Sequence, residues 1–187
     1  MLLMVSVLNS YVLRTGASGS ELIRNGNILP TGAPAVYGTE LKLSFDDVSA
    51  SNQAKADQVI HQMAVMDTNI QLNEQQMQRY INILYNMNGG ISCEYCCEAD
   101  AVIFSNGQAA CGCAHSYAMR GLAKYLIKYH GDQYSDGQIL TEVSKWKARF
   151  FPQQYLEKAK ALQQNGILLT YINLGSNEYK KFSPAGY

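Results

Sequence analysis

The sequence lacks a surplus of charge of either sign and lacks a hydrophobic run of membrane-spanning length. Its 15 lysines and arginines balance 15 aspartates and glutamates, so the formal net charge is zero. The basic side chains form no stripe, and nucleic-acid-binding surfaces are built from clustered lysine and arginine. The sequence therefore predicts no nucleic-acid partner. A helix that crosses a bilayer needs about 20 apolar residues, and the apolar N-terminal segment 1–13 is shorter.

The segment 1–13 also lacks two marks of a secretory signal peptide, a basic start and a small-residue cleavage site. Three interpretations stay open for it. It is an ordinary buried helix or strand, the end of a membrane anchor, or an interfacial or self-associating segment. The last two predict contact with a membrane or with other copies of the chain.

The short motifs of several enzyme and cofactor families are missing. No glycine-rich phosphate loop and no His-Glu-x-x-His helix appears. Haem attachment requires Cys-x-x-Cys followed directly by histidine, but here Cys97 follows Cys96. The motifs therefore give no support to nucleotide binding, metalloprotease activity or covalent haem.

What the sequence does contain is a tight cluster of thiols. All five cysteines lie in Cys-Glu-Tyr-Cys-Cys at 93–97 and Cys-Gly-Cys-Ala-His at 111–115. A zinc ion takes four such donors in a tetrahedron, with sulfur about 2.3 Å away. Copper(I), which accepts soft thiolate ligands, is the alternative metal. The predicted ligands are Cys93, Cys96, Cys111 and Cys113, with Cys97 and His115 as further candidates.

The residues between the two clusters predict a short hairpin. Val102, Ile103 and Phe104 favour a strand, and Asn106-Gly107 is typical of a two-residue turn in which both residues have positive φ. Such a hairpin returns the chain so that the second cluster lies beside the first. A helical pattern begins just after Cys113, which gives the order of a zinc-ribbon or treble-clef site.

Two other interpretations of the thiols stay open. One is a disulfide between the first cluster and the second, for example from Cys93, Cys96 or Cys97 to Cys111 or Cys113. The other is a redox dithiol, because Cys93-Glu-Tyr-Cys96 has the Cys-x-x-Cys spacing of thiol–disulfide oxidoreductases. In that case Cys93 and Cys96 are the catalytic residues.

Apolar side chains at three- and four-residue spacing predict five helices. They cover 52–67, 73 to the Gly89-Gly90 pair, 114–130, 135 to Pro152, and 152–164. Asn73 with Gln76, and Ser135 with Gln138, match capping boxes at two of the starts. Gly121 on the third helix predicts close approach of another helix, and 167–172 predicts a strand.

The predicted fold class is therefore mainly α. We expect a helical bundle of about five helices, with a small cysteine-rich β-hairpin inserted between the second and third. The predicted regions are an apolar segment 1–13, an irregular connector 14–50, a cysteine-rich helical domain 51–166, and a C-terminal strand and tail 167–187.

The motifs Cys-Glu-Tyr-Cys-Cys, Cys-Gly-Cys-Ala-His-Ser and the Met-Arg-Gly-Leu-Ala-Lys run at 119–124 carry a resemblance. Over about 37–165 the chain resembles a family of small microbial proteins that have an N-terminal membrane anchor and a cysteine-rich helical domain. The resemblance implies an anchored, extracytoplasmic domain and no assigned activity. The Cys-Gly-Cys run is similar to that of PCYCGC-motif proteins. Residues 135–139 resemble part of the helical hairpin of the cytochrome c maturation thiol protein CcmH, which implies a redox role.

Three functional hypotheses follow. The first is a non-enzymatic, metal-binding protein with a structural or binding role at the cell envelope. The second is an envelope thiol–disulfide oxidoreductase, and the third is a disulfide-stabilised filament or assembly subunit. The predicted partner is another protein or a second copy of the chain, and the predicted location is extracytoplasmic and membrane-anchored, with the cytoplasm as the alternative.

Overall fold

A computed structural model describes Glu21, Ile23 and residues 27–97 and 99–184. These residues are mainly helical, which confirms the predicted class. The α-helices, in chain order, are α1 Gly38–Leu41, α2 Gln53–Asn69, α3 Glu74–Ile81, α4 Ala114–His130, α5 Asp136–Phe150, α6 Pro152–Gln164 and α7 Tyr171–Gly175. The end of α3 continues as a π-helical turn over Asn82–Asn86 and a 3-10 turn over Met87–Gly89.

The starts of two helices confirm the capping predictions. The Asn73 side chain accepts a hydrogen bond from the Gln76 backbone, and the Gln76 side chain accepts one from the Asn73 backbone. Ser135 and Gln138 form the same reciprocal pair at the start of α5. Each box satisfies two backbone N–H groups that a helix start would otherwise leave unpaired.

Helices α2 and α4 pack most closely where α4 carries Gly121, as the sequence predicts. A Cβ atom at this position would lie 2.0 Å from the Met63 carbonyl oxygen and 2.9 Å from the Asp67 backbone nitrogen. Both neighbours are backbone atoms of α2, so neither can move without moving the helix. Glycine at 121 therefore fixes the distance between the two helices that form the centre of the core.

We expect Gly121→Ala to lower the free energy of unfolding by about 3 kcal/mol or more, because overpacking against a rigid backbone is costly. Urea unfolding of metal-free protein measures the change. Gly112→Ala is the control, since nothing lies within 4 Å of a Cβ at that position. Equal stability of the two variants would contradict the close approach.

The predicted strand at 167–172 is wrong, because Tyr171–Gly175 forms α7. The Thr170 side chain accepts a hydrogen bond from the Asn173 backbone and so caps the helix. Gly175 lies against α5, where a Cβ would be 2.2 Å from Ser144 Oγ. Only the end of the run, Tyr171 and Ile172, enters this helix and is buried, while Leu168 before it is exposed. Periodicity cannot separate a helical turn from a strand over so few residues.

The predicted cysteine-rich hairpin is reduced to one antiparallel bridge, between Ile103 and Ala109. Within the described ranges no strand forms. Gly107 has a positive φ of 82°, but Asn106 does not, so the prediction that both turn residues adopt positive φ is wrong. The Asn106 side chain instead accepts a hydrogen bond from the Gln108 backbone at 3.0 Å. The turn still reverses the chain.

The predicted connector and tail both contribute to the core. The Tyr37 hydroxyl donates to Glu142 at 2.9 Å and accepts from Trp146 Nε1 at 2.8 Å. In the tail, Leu174 is fully buried in the core, and the Asn177 side chain donates to the Asp100 carbonyl at 2.7 Å. The segment 1–13 lies outside the described residues, and among those described no helix has the length and hydropathy to cross a membrane.

Candidate metal centre

The first cysteine cluster folds into a tight knuckle, residues 93–97. Tyr95 donates its backbone N–H to the Cys93 carbonyl at 2.7 Å. Glu94 has a φ of 62°, in the left-handed region that side chains with a Cβ rarely adopt. This turn brings the sulfurs of Cys93 and Cys96 toward the same point, so the rare backbone conformation belongs to the geometry of the site.

A buried ion cluster holds the Glu94 conformation. Its carboxylate accepts hydrogen bonds from Lys147 of α5, from Lys158 of α6 at 3.1 Å, and from the Ser183 hydroxyl at 2.8 Å. Both lysine side chains are 0 % exposed and that of Glu94 is 1 % exposed. We call Glu94, Lys147 and Lys158 the knuckle triad. Through it the two helices fix the backbone between Cys93 and Cys96.

Burial and the neighbouring charges set the pKa values of Glu94 and Lys158. Burial alone would raise the pKa of Glu94, but Lys147 and Lys158 together lower it below its ordinary value. Burial lowers the pKa of Lys158 to about 8, against the attraction of Glu94. As one carboxylate paired with two ammonium groups, the knuckle triad carries one formal positive charge beside the cysteines.

The second cluster leads directly into α4. Cys113 is the N-cap, and its sulfur accepts a hydrogen bond from the Ser116 backbone at 3.4 Å. His115 is the second residue of α4. The centroid of its ring lies 5.1 Å from that of Phe150 and 4.8 Å from that of Phe151. These two rings fix the plane of the imidazole. The start of α4 thus presents one sulfur and one ring nitrogen.

Folding brings four donor atoms of the two clusters together. The Cys113 sulfur lies 3.1 Å from that of Cys96 and 3.5 Å from that of Cys93. With a ring nitrogen of His115, all four donors lie within 4.8 Å of one another. Three thiolates and one imidazole are a ligand set that zinc uses in structural sites. This cysteine cluster has the composition and spacing to bind a metal ion.

The structure separates the predicted ligands into three free cysteines and one that is bound in a disulfide. Cys111 is bonded to Cys97 in a disulfide, so its sulfur is not a free thiolate in this state. His115, a further candidate in the sequence, stands where Cys111 was expected. The disulfide links the first cluster to the second, which is one of the pairings the spacing left open. Cys93, Cys96 and Cys113 are the three free cysteines.

Helix α4 anchors the chain that follows the turn at Asn106-Gly107. Arg120, which is 1 % exposed, donates to the carbonyl of Cys111 at 2.8 Å and to that of Val102 at 3.1 Å. The same guanidinium pairs with Asp67 of α2 at 2.7 Å. The backbone at Cys111 is therefore fixed by the α2–α4 core as well as by the disulfide.

The three free thiols share one negative charge. Hydrogen bonding from Cys93 is the largest cause that lowers the pKa of Cys113, and His115 and Ser116 add to it. The pKa of Cys93 rises because its proton is held by Cys113 and because it is buried. Burial raises the pKa of Cys96 to about 11. Without metal, Cys113 is the thiolate and the other two keep their protons.

Metal binding must then displace the protons of Cys93 and Cys96. We expect zinc to release about two protons per ion near pH 7.5, and its apparent affinity to rise with pH. Calorimetric titrations in two buffers with different ionisation enthalpies give the number of protons. Release close to zero would contradict the assignment of two protonated thiols as ligands.

The sequence did not indicate the knuckle triad. Glu94 reads as a solvated charge beside the thiols, and its lysine partners lie 53 and 64 residues further along the chain. A small signal was present, because Lys147 and Lys158 fall on the apolar faces of α5 and α6. His115 was visible as a donor four residues after Cys111 but could not be ranked above it.

Comparisons with known proteins identify no relative, so the assignment of the metal ligands depends on the geometry of the site. No protein-family model, no curated protein and no solved structure matches this chain.

Proposed function

We propose that this protein binds one zinc ion through Cys93, Cys96, Cys113 and His115, and that the ion has a structural or binding role. The observation that carries the proposal is the meeting of three free sulfurs and one imidazole within 4.8 Å. Four protein donors fill a tetrahedron and leave no open position for a substrate, which is the pattern of structural zinc. The ion would join the knuckle to the start of α4.

The charges around the site support the same proposal. Zinc with three thiolates carries one net negative charge, and the knuckle triad beside it carries one net positive charge. Burial is the largest cause of the raised pKa of Cys96, and the charge of Lys147 acts against that rise. A buried cation pair with one carboxylate is costly on its own, and a metal–thiolate anion next to it reduces that cost.

Native mass spectrometry of the oxidised full chain tests the proposal. We expect one zinc ion per chain with the Cys97–Cys111 disulfide intact, and loss of the ion in His115→Ala. The matched control is His61→Ala, since His61 is exposed on α2 and far from the cysteines in the sequence. Absence of zinc from the oxidised protein, or equal binding by both variants, would overturn the ligand set.

A thiol–disulfide oxidoreductase is the second candidate, favoured by one observation. The thiolate of Cys113 lies within 4.8 Å of both sulfurs of the Cys97–Cys111 disulfide. Cys113, at a helix start that lowers thiol pKa values, is a better nucleophile here than the buried Cys93 of the predicted Cys93–Cys96 pair. If no cysteine pair of metal-free protein is reversibly reduced in a glutathione series, this candidate fails.

The remaining expectations are part of the proposal. A disulfide bond is typical of an oxidising compartment, which supports a location outside the cytoplasm. Membrane anchoring, self-association and a protein partner are predictions carried by the segment 1–13 and by the family resemblance. Copper(I) stays the alternative metal, but it prefers two or three thiolates, whereas the imidazole of His115 completes a set suited to zinc.

A further inference from the structure

Cys113 belongs to two groups of sulfurs. One is the proposed zinc site, and the other consists of Cys97, Cys111 and Cys113, whose sulfurs also lie within 4.8 Å of one another. In the second group two sulfurs are joined in the disulfide. Cys113 is a ligand of the proposed zinc site, but Cys97 and Cys111 beside it are not.

We propose that reduction of the Cys97–Cys111 disulfide creates a second metal site, in which Cys97, Cys111 and Cys113 bind a second zinc ion and the Cys113 thiolate bridges the two ions. The inference rests on the proposed function, because the first ion must occupy its four ligands for Cys113 to act as a bridge. The oxidised protein then binds one ion and the reduced protein binds two.

The chemistry of the step balances. A dithiol reductant supplies two electrons and two protons, the Cys97–Cys111 bond breaks, and the reductant becomes a disulfide. The two new thiols lose their protons to solvent as the second ion binds. Three thiolates supply three of the four positions of zinc, and a solvent molecule supplies the fourth.

The charges and the backbone favour this arrangement. The second ion brings two positive charges and takes up two further thiolates, so the net charge of the cluster stays at one negative, as before. It therefore remains matched to the knuckle triad. Cys111 keeps its place after reduction, because Arg120 of α4 holds its carbonyl at 2.8 Å.

The position of Cys113 suits a bridging ligand. Its sulfur lies 3.1 Å from that of Cys96 and 3.5 Å from that of Cys93, and it accepts a hydrogen bond from the Ser116 backbone at 3.4 Å. It stands at the N-terminus of α4, where the partial positive charge of the helix favours an anion. A thiolate has lone pairs for two metal ions, and Cys113 is the member common to both groups.

Native mass spectrometry of the full chain with excess zinc tests the inference. We expect one zinc ion under non-reducing conditions and two after reduction, with the mass gain of two hydrogens in the metal-free protein. The double variant Cys97→Ser, Cys111→Ser should hold one ion in both conditions. One ion on the wild type before and after reduction would overturn this inference and leave the proposed function standing.

Cobalt(II) provides a second readout that addresses the bridge itself. Two cobalt ions that share one thiolate couple magnetically, so we expect the moment per cobalt to fall between one and two equivalents in the reduced protein. An unchanged moment would show two independent ions and overturn the bridge. No zinc on the oxidised protein would instead overturn the proposed function, so the two failures are distinguishable.

Discussion

Cys113→Ser should weaken zinc binding at least about 100-fold while leaving the metal-free fold intact. The sulfur of Cys113 is the central donor, 3.1 Å from that of Cys96 and 3.5 Å from that of Cys93, and a neutral serine hydroxyl is a poor ligand for zinc compared with thiolate. Serine is also a favoured N-cap, so it keeps the hydrogen bond from the Ser116 backbone. Competition with a chelator of known affinity measures the loss.

The control is the double variant Cys97→Ser, Cys111→Ser. It removes the disulfide, which closes a loop of sequence separation 14 and is worth about 3 kcal/mol of stability, but it leaves all four proposed ligands. We expect the oxidised wild type and this variant to bind one zinc ion with Kd values within about tenfold of each other. If the control loses zinc as Cys113→Ser does, then Cys97 or Cys111 is a ligand and the proposed set is wrong.

Glu94→Gln should lower the free energy of unfolding by about 3–5 kcal/mol, because it leaves two buried lysines without their carboxylate. Both side chains are 0 % exposed, so water cannot replace the lost partner. The left-handed backbone at Glu94 then loses the contacts that fix it. Urea unfolding of the metal-free protein, followed by circular dichroism, gives the change in stability.

Two further variants separate this effect from a general loss of charge. Glu157→Gln removes an exposed carboxylate one residue before Lys158 and should change stability by less than about 0.5 kcal/mol. Lys158→Met should cost less than Glu94→Gln, since it leaves Glu94 paired with Lys147. Equal stability of Glu94→Gln and Glu157→Gln would contradict a buried, structurally important knuckle triad.

The same contacts make the stability of the fold depend on pH. The folded-state pKa of Glu94 is lowered, so its contribution is fully present above the ordinary pKa of glutamate. That contribution is lost as the pH falls through the lowered value. Acid should therefore loosen the knuckle from α5 and α6, and Glu94→Gln should remove this part of the acid sensitivity.

Local features were predictable from the sequence because neighbouring residues determine them. The capping boxes at Asn73 and Ser135 depend on two side chains three residues apart. The close helix contact at Gly121 depends on the missing side chain of glycine. The cysteine cluster was predictable in outline, since two short runs separated by a turn must lie close together. The choice between Cys111 and His115 as the fourth ligand was not predictable, because spacing alone does not determine which sulfur pairs with Cys97.

The knuckle triad is a feature that the sequence could not predict. Glu94 is adjacent in sequence to a cysteine, but its partners come from two distant helices, and no local pattern indicates that a charged side chain will be buried. The predicted strand at 167–172 fails for a related reason. A run of six residues, five of them apolar, suits a strand or the start of a buried helix equally well, and contact of α7 with α5 makes the choice.

X-ray absorption at the zinc edge of the oxidised, zinc-loaded protein tests the central claim most directly. The proposed ligands predict three sulfurs at about 2.3 Å and one nitrogen at about 2.0–2.1 Å from the ion. A shell of four sulfurs, or one of oxygens alone, would contradict the assignment of Cys93, Cys96, Cys113 and His115.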